Sequence, residues 1–149
     1  MNSLYKLIAF LTISFGFAFL TMKLGSSFVN KFAENILTLL TTLFAINIAS
    51  STLIAGKIRE IQDTSGVDFH NTKKNLKNSF YEQIILIAIA FIFSMLRESK
   101  YLKNAFSECT LILLCDTILF FSFIFYIDII RDIGKSLFDL LDFDNKKKK

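Results

Sequence analysis

The chain has 149 residues, of which 53% are hydrophobic, 18 are phenylalanine and none is proline, and its formal net charge is +4. A mean hydropathy of +0.51 is well above that of a soluble domain, and two cysteines are too few for a disulfide framework. Four runs approach the roughly 20 apolar residues that cross a bilayer. We therefore predict an all-α integral membrane protein, a four-transmembrane-helix bundle, with too little chain outside the spans for a separate soluble domain.

The first predicted span covers residues 4–22. Lys6 stands ahead of most of the apolar run, as in a signal peptide, but no small-residue cleavage site follows and Lys23 comes directly after it. The length of the run also favours a retained anchor over a cleaved signal peptide. We predict that it stays as the first helix of the bundle.

The second predicted span covers residues 36–56 and carries a stripe of small side chains. Its members recur at helical spacing: Thr38, Thr42, Ala45, Ala49, Thr52 and Gly56. Small residues allow close backbone approach between helices in lipid. The stripe predicts a helix–helix contact, either inside one protomer or at an oligomer interface or pore. Asn47 lies off the stripe near mid-depth, where a partner on another helix is expected for its amide.

Residues 57–79 form the predicted cytoplasmic loop. It starts as a continuation of the second helix, which is expected to end near Gly66 because glycine is typical of helix C-termini. His70 has no Asp or Cys constellation around it and is interpreted as an ordinary polar loop residue. Lys73, Lys74 and Lys77 are predicted to contact anionic lipid headgroups.

The third span, residues 80–96, is the shortest, and the fourth covers residues 109–127 with Asp116 inside it. A carboxylate at a helix centre costs about 2.5–3.5 kcal/mol on insertion scales. With no Lys or Arg available to it within the membrane, Thr41 and Thr42 are the expected donors at its depth. Asp116 is therefore either a structural hydrogen-bonding anchor or a group used in ion passage or gating.

Residues 128–149 are predicted to continue the fourth helix as an amphipathic extension with a basic tail. Ile130, Ile133, Leu137 and Leu140 repeat at helical spacing, and the polar face is acidic. A helix lying on lipid usually has a basic polar face. We therefore predict that this stripe binds protein, either another protomer or a soluble partner, while Lys146 and Lys147 contact headgroups.

The distribution of basic residues sets the predicted topology. With both termini cytoplasmic, twelve of the 17 Lys and Arg residues fall on the inner side and five on the outer. This bias predicts an N terminus and a C terminus that are both cytoplasmic. A three-span arrangement would instead place either the lysine-rich loop of residues 57–77 or the lysine tail on the outer side of the membrane.

The sequence holds no motif typical of an enzyme, a metal site, a cofactor site or a nucleic-acid interface. Two classes of function are predicted. In the first, a non-enzymatic, homo-oligomeric membrane scaffold or sensor recruits a cytosolic partner; in the second, an oligomeric pore alters membrane permeability. Richness in Phe, Ile, Asn and Lys is typical of an AT-rich gene. In bulk composition the chain resembles small membrane proteins of bacterial defence and immunity systems, which implies a bacterial inner (plasma) membrane.

Overall fold

A computed structural model describes the backbone of residues 3–25, 27–66, 68–105 and 107–147, and the side chains of these residues except 3, 64–65, 103–105 and 139–147. This part of the chain consists of five helices: α1 (Ser3–Lys23), α2 (Phe28–Ser65), α3 (His70–Glu98), α4 (Lys100–Ala105) and α5 (Glu108–Lys147). Four of them, α1, α2, α3 and α5, are long and apolar enough to cross a membrane. The predicted all-helical fold with four candidate spans is confirmed.

The helices are longer than the apolar runs that predict them. α2 has 38 residues and α5 has 40, so at 1.5 Å per residue they measure about 57 and 60 Å. A chain without proline has no residue that must interrupt a helix. Gly66 ends α2 as predicted: its φ of 65° is left-handed, and its N–H donates to the carbonyl oxygen of Gln62 at 2.9 Å.

α5 lies at the centre of the bundle and contacts α1, α2 and α3. Phe120 of α5 stacks on Phe32 of α2 at 4.8 Å between ring centroids, and Phe17 of α1 lies 6.0 Å from Phe120. Phe10 meets Phe125 at 6.2 Å, so α1 and α5 run antiparallel. The buried core continues along α2 through Ile36 and other apolar side chains.

Two groups of paired charged side chains, which we call belts, lie at opposite ends of the apolar part of the bundle. At one end, called the Arg97 end, Arg97 and Asp116 meet; at the other, called the Lys6 end, Lys6 meets Asp128 and Asp132. Asp116 and Asp132 are about 24 Å apart along α5 at 1.5 Å per residue. This separation is comparable with the thickness of a bilayer's hydrocarbon layer, about 30 Å.

Helical turns of α2, α3 and α5 continue beyond the Lys6-end belt. We call residues 57–65, 70–79 and 135–147 the stalk. Ile58 and Ile61 are 0% and 3% exposed and belong to the same hydrophobic core as the rest of the bundle, with Phe69 and Leu76 packed against that core. The stalk is therefore a packed continuation of the bundle.

The structure changes the depths assigned to α2. Because α2 begins at Phe28 and pairs Phe32 with Phe120, Thr41 and Thr42 lie about 14 Å beyond Phe32 along the helix. They are not at the level of Asp116, and the hydroxyl of Thr41 donates to the carbonyl of Leu37 at 2.8 Å. Asn47 is likewise not at mid-depth.

Asn47 instead lies near the Lys6 end. It is 3% exposed and lines a cavity of about 90 Å³ together with Ile130 and Gly134 of α5. Its Nδ2 atom has no hydrogen-bond partner among the residues that the structure describes. The expected partner on another helix is not present within this part of the protomer.

Candidate functional site

The carboxylate of Asp116, inside the fourth candidate membrane span, is paired with an arginine. Nε of Arg97 donates to Oδ1 of Asp116 at 2.7 Å, and Nη2 of Arg97 donates to Oδ1 of Asn30 at 2.6 Å. The two charged side chains are only 14% and 7% exposed. This contact joins α2, α3 and α5 at the Arg97 end, beside a cavity of about 260 Å³ that Thr21 and Gly25 also line.

The expectation of threonine donors and of no available arginine was wrong. Arg97 follows the third predicted span by one residue, so it was assigned to the outer loop. Its long side chain reaches back along α3 to Asp116, in the direction of the helix N-terminus toward which helical side chains tilt. The available signal was the short connection between the third and fourth spans, which places the end of α3 beside the start of α5.

A second polar contact lies in the interior. The hydroxyl of Tyr126 donates to Oε1 of Gln83 at 2.9 Å, and both side chains are 0% exposed. All four tyrosines, Tyr5, Tyr81, Tyr101 and Tyr126, fall near the ends of predicted spans, where an amphipathic ring favours the headgroup level. The first three are exposed and Tyr126 is not, because α5 continues past it and α3 covers it.

Replacing Tyr126 with phenylalanine removes that hydrogen bond and leaves the ring in place. Interhelical hydrogen bonds in membrane bundles contribute about 0.6 kcal/mol on average and up to about 1.7. We expect Tyr126→Phe to lower the unfolding free energy of the purified protein in mixed micelles by about 1 kcal/mol. Tyr101→Phe, at a side chain 91% exposed, should leave it unchanged, and equal effects of the two variants would contradict the contact.

A third polar contact lies at the Lys6 end. Nζ of Lys6 bonds to Oδ2 of Asp128, and Nη2 of Arg131 lies 2.7 Å from Oδ1 of the same carboxylate. Arg131 also lies 3.1 Å from Asp132. Two aspartates of the predicted acidic, partner-facing surface are therefore already neutralised by cations of their own chain. The side chains of Asp139 and Asp142 lie outside the described residues.

The small-residue stripe of α2 is not used inside the protomer. Every member is exposed: Thr38, Thr42, Ala45, Ala49, Thr52 and Gly56. The buried face of α2 carries Phe32, Leu40 and Ile54 instead. Among the described residues, the stripe is therefore not the contact between α2 and the other helices of the protomer. The other alternative, an oligomer interface or a pore, stays a prediction.

The predicted partner-binding stripe of α5 is partly occupied by the protomer itself. Ile133 is 6% exposed, and Ile130 and Leu137 pack against the core. The side chain of Leu140 lies outside the described residues. Among the side chains of this segment that the structure describes, the large apolar one that is exposed is Phe138, at 69%.

The predicted headgroup lysines are on the surface. Lys73 donates to Oε1 of Gln62 at 2.8 Å, Lys77 lies 5.9 Å from the ring centroid of Tyr81, and Lys74 is exposed. The side chains of Lys146 and Lys147 lie outside the described residues. Contact with lipid headgroups stays a prediction for all five.

A polar cleft of about 370 Å³ lies at the base of the stalk, between α3 and α5. Its lining combines carboxylates, amides and hydroxyls above an apolar floor. The polar residues are Thr72, Asn75, Asn78, Ser79 and Glu82 of α3 and Asp132 and Ser136 of α5. Sequence reasoning missed this cleft, because its two walls come from segments fifty or more residues apart along the chain.

Neither cysteine is paired: Cys109 is exposed and lies 3.4 Å from the Met22 sulfur, and Cys115 is buried. Across the described residues, no three His, Cys, Asp or Glu side chains are grouped so as to hold a metal ion. Comparisons with protein-family models, with curated proteins and with solved structures gave no match to this chain.

Proposed function

We propose that this protein is a non-enzymatic, self-associating membrane scaffold or sensor that recruits a soluble protein in the cytoplasm through its stalk. The proposal includes both termini on the cytoplasmic side, in agreement with the distribution of basic residues. A bacterial inner membrane and a part in defence or immunity belong to the same proposal and depend on bulk composition alone.

The observation that carries the proposal is the packed stalk. A helix needs about 20 residues to cross a bilayer, yet α2 and α5 have 38 and 40. The additional turns extend past the same belt as the first turns of α3, and Ile58 and Ile61 are buried among them. A preformed helical surface beside the membrane binds a partner without first paying the entropy of ordering a loop.

Among the described side chains of the stalk, Phe138 is the best placed for such a contact. Its ring is 69% exposed, about 9 Å beyond Asp132 along α5 at 1.5 Å per residue. Aromatic side chains are enriched at the centres of protein interfaces. Because the ring lies this far beyond the charged belt, we infer that it contacts a protein partner and not the hydrocarbon layer.

We expect Phe138→Ser to reduce recovery of a crosslinked soluble partner at least tenfold, since losing a buried aromatic anchor costs about 2 kcal/mol or more. The measurement is in-cell crosslinking of the tagged full-length chain, followed by quantitative mass spectrometry. Tyr101→Ser makes a similar change at the opposite end, where the ring is 91% exposed, and should leave recovery unchanged. A partner recovered equally with both variants would contradict docking at the stalk.

A pore is the second candidate, and the exposed stripe of α2 favours it. Three of its six members are threonines, Thr38, Thr42 and Thr52, whose hydroxyls are typical of water-lined surfaces between protomers. The two proposals predict different effects on the membrane potential. Collapse of the membrane potential when the chain is produced alone supports the pore, whereas an unchanged potential together with Phe138-dependent crosslinking supports the scaffold.

A further inference from the structure

The cleft at the base of the stalk has the size and lining of a small-ligand site. Its volume of about 370 Å³ lies within the roughly 300–1,000 Å³ of ligand pockets. Ile54, Leu76 and Ile133 supply an apolar floor, and polar side chains of α3 and α5 form the two walls. Such a combination of an apolar base with a few convergent polar groups is typical of binding sites.

The polar walls present mainly hydrogen-bond acceptors. The hydroxyl of Ser79 donates to the carbonyl of Asn75 at 3.0 Å, and that of Ser136 donates to the carbonyl of Asp132 at 3.0 Å. Both hydroxyl protons are therefore used within their own helices, which leaves the oxygen lone pairs for a ligand. The side-chain amides of Asn75 and Asn78 add acceptor oxygens together with N–H donors. A ligand rich in N–H donors fits this lining.

The charged side chains that line the cleft are both acidic. Glu82 and Asp132 are its two ionisable residues. Asp132 lies 3.7 Å from Lys6 and 3.1 Å from Arg131, whereas Glu82 has no ion-pair partner among the described side chains. An anion entering the cleft would be repelled by this negative charge, and a cation would pair with the carboxylate of Glu82.

From this lining we infer that the cleft binds a primary ammonium group. This group is a compact cation with three N–H donors, matching one free carboxylate surrounded by acceptor oxygens. The cleft begins at the Lys6-end belt, at headgroup depth, and extends away from the bilayer along α3. The ammonium therefore comes either from a phosphatidylethanolamine headgroup or from a soluble amine. This inference is independent of partner recruitment and stands if no soluble protein is captured.

The test uses the full-length chain in nanodiscs made of phosphatidylcholine, whose trimethylammonium group has no N–H donor. In one arm, phosphatidylethanolamine replaces part of the lipid; in the other, ethanolamine is added to the buffer, with choline as the matched control. The readouts are the midpoint of thermal unfolding and ligand retention in native mass spectrometry, because a ligand that binds the folded state raises the midpoint.

We expect at least one amine arm to raise the midpoint and choline to leave it unchanged. Glu82→Gln, an isosteric change at an exposed side chain, should weaken amine binding about tenfold, the usual effect of losing a charge-assisted hydrogen bond. Asn75→Ala is a second lining variant and should weaken it less. Glu98→Gln, at the other end of α3, should bind as the unmodified protein does.

A response to the lipid alone assigns the headgroup as the ligand, and a response to ethanolamine alone assigns a soluble amine. A response to both means that the site recognises the ammonium group from either source. Three results overturn the inference: no response to either amine, an equal response to choline, or amine binding that Glu82→Gln leaves unchanged.

Discussion

Asp116→Ala is expected to lower the unfolding free energy by about 3–5 kcal/mol, the usual cost of breaking a buried ion pair from one side. The substitution leaves the guanidinium of Arg97, whose side chain is 14% exposed, without its carboxylate partner. The contact with Asn30 at 2.6 Å remains but supplies no charge. The measurement is equilibrium unfolding of the purified protein in mixed micelles, with SDS as the denaturant.

Two further variants separate charge from hydrogen bonding. Asp116→Asn keeps an acceptor oxygen for Arg97 and removes the charge, so its effect should be smaller than that of Asp116→Ala. The double variant Asp116→Leu with Arg97→Met removes both charges and should recover most of the lost stability, since an apolar pair of similar volume often replaces a buried ion pair without loss. A double variant no more stable than Asp116→Ala would show that charge pairing is not what Asp116 supplies.

The same variants address the two roles that the sequence left open for Asp116. A structural anchor predicts that Asp116→Asn and the double variant retain whatever activity is measured in cells, in proportion to their stability. A role in ion passage or gating predicts that Asp116→Asn abolishes membrane leakage while the protein stays folded. The membrane-potential assay and the unfolding measurement together distinguish these results.

Phe120→Ala is expected to have the second largest effect. Phe120 is 7% exposed and contacts Phe32 at 4.8 Å and Phe17 at 6.0 Å between centroids. In lipid the separated helices are also surrounded by apolar groups, so the free energy of moving a ring out of the protein core is small. The cost of the substitution therefore comes mainly from lost packing contacts. Removing a ring leaves a cavity of roughly 100 Å³ at about 24 cal/mol per Å³, which predicts a loss of about 2–3 kcal/mol.

Phe91→Ala is the matched control for this prediction. Phe91 lies on α3 and is 51% exposed, so lipid fills the space that its ring leaves. Its expected effect on SDS unfolding is below about 0.5 kcal/mol, the usual range for surface substitutions. If Phe91→Ala were as destabilising as Phe120→Ala, the aromatic cluster around Phe120 would not be the packing centre that joins α1, α2 and α5.

Apolar run length was sufficient to predict four long helices, and the presence of a glycine at position 66 was sufficient to place the end of α2 there. These features depend on residues that are neighbours along the chain. The helix ends were less predictable. α2 begins eight residues before its predicted span, and Phe32 in this added segment packs against Phe120 and Phe123 of α5, contacts that no local pattern encodes.

The contacts of the candidate site were less predictable from the sequence than the helices were. The presence of an intramembrane carboxylate was evident from the sequence, but its arginine was not, since Arg97 and Asp116 lie on different helices and the arginine falls outside the predicted span. Tyr126 was assigned to the membrane surface from its position near the end of an apolar run. Only the burial of α5 among three other helices places it against Gln83.

By itself the sequence determined that the chain is helical, that four segments are apolar enough to cross a membrane, and that a stripe of small residues follows one of them. The tertiary structure decided which face of each helix is buried, and therefore that this stripe faces outward, that Asp116 is paired, and that α3 and α5 enclose a polar cleft. The physical reason is that helix formation depends on backbone hydrogen bonds four residues apart. The partner of a side chain depends on the relative shift and rotation of packed helices, which only their mutual contacts fix.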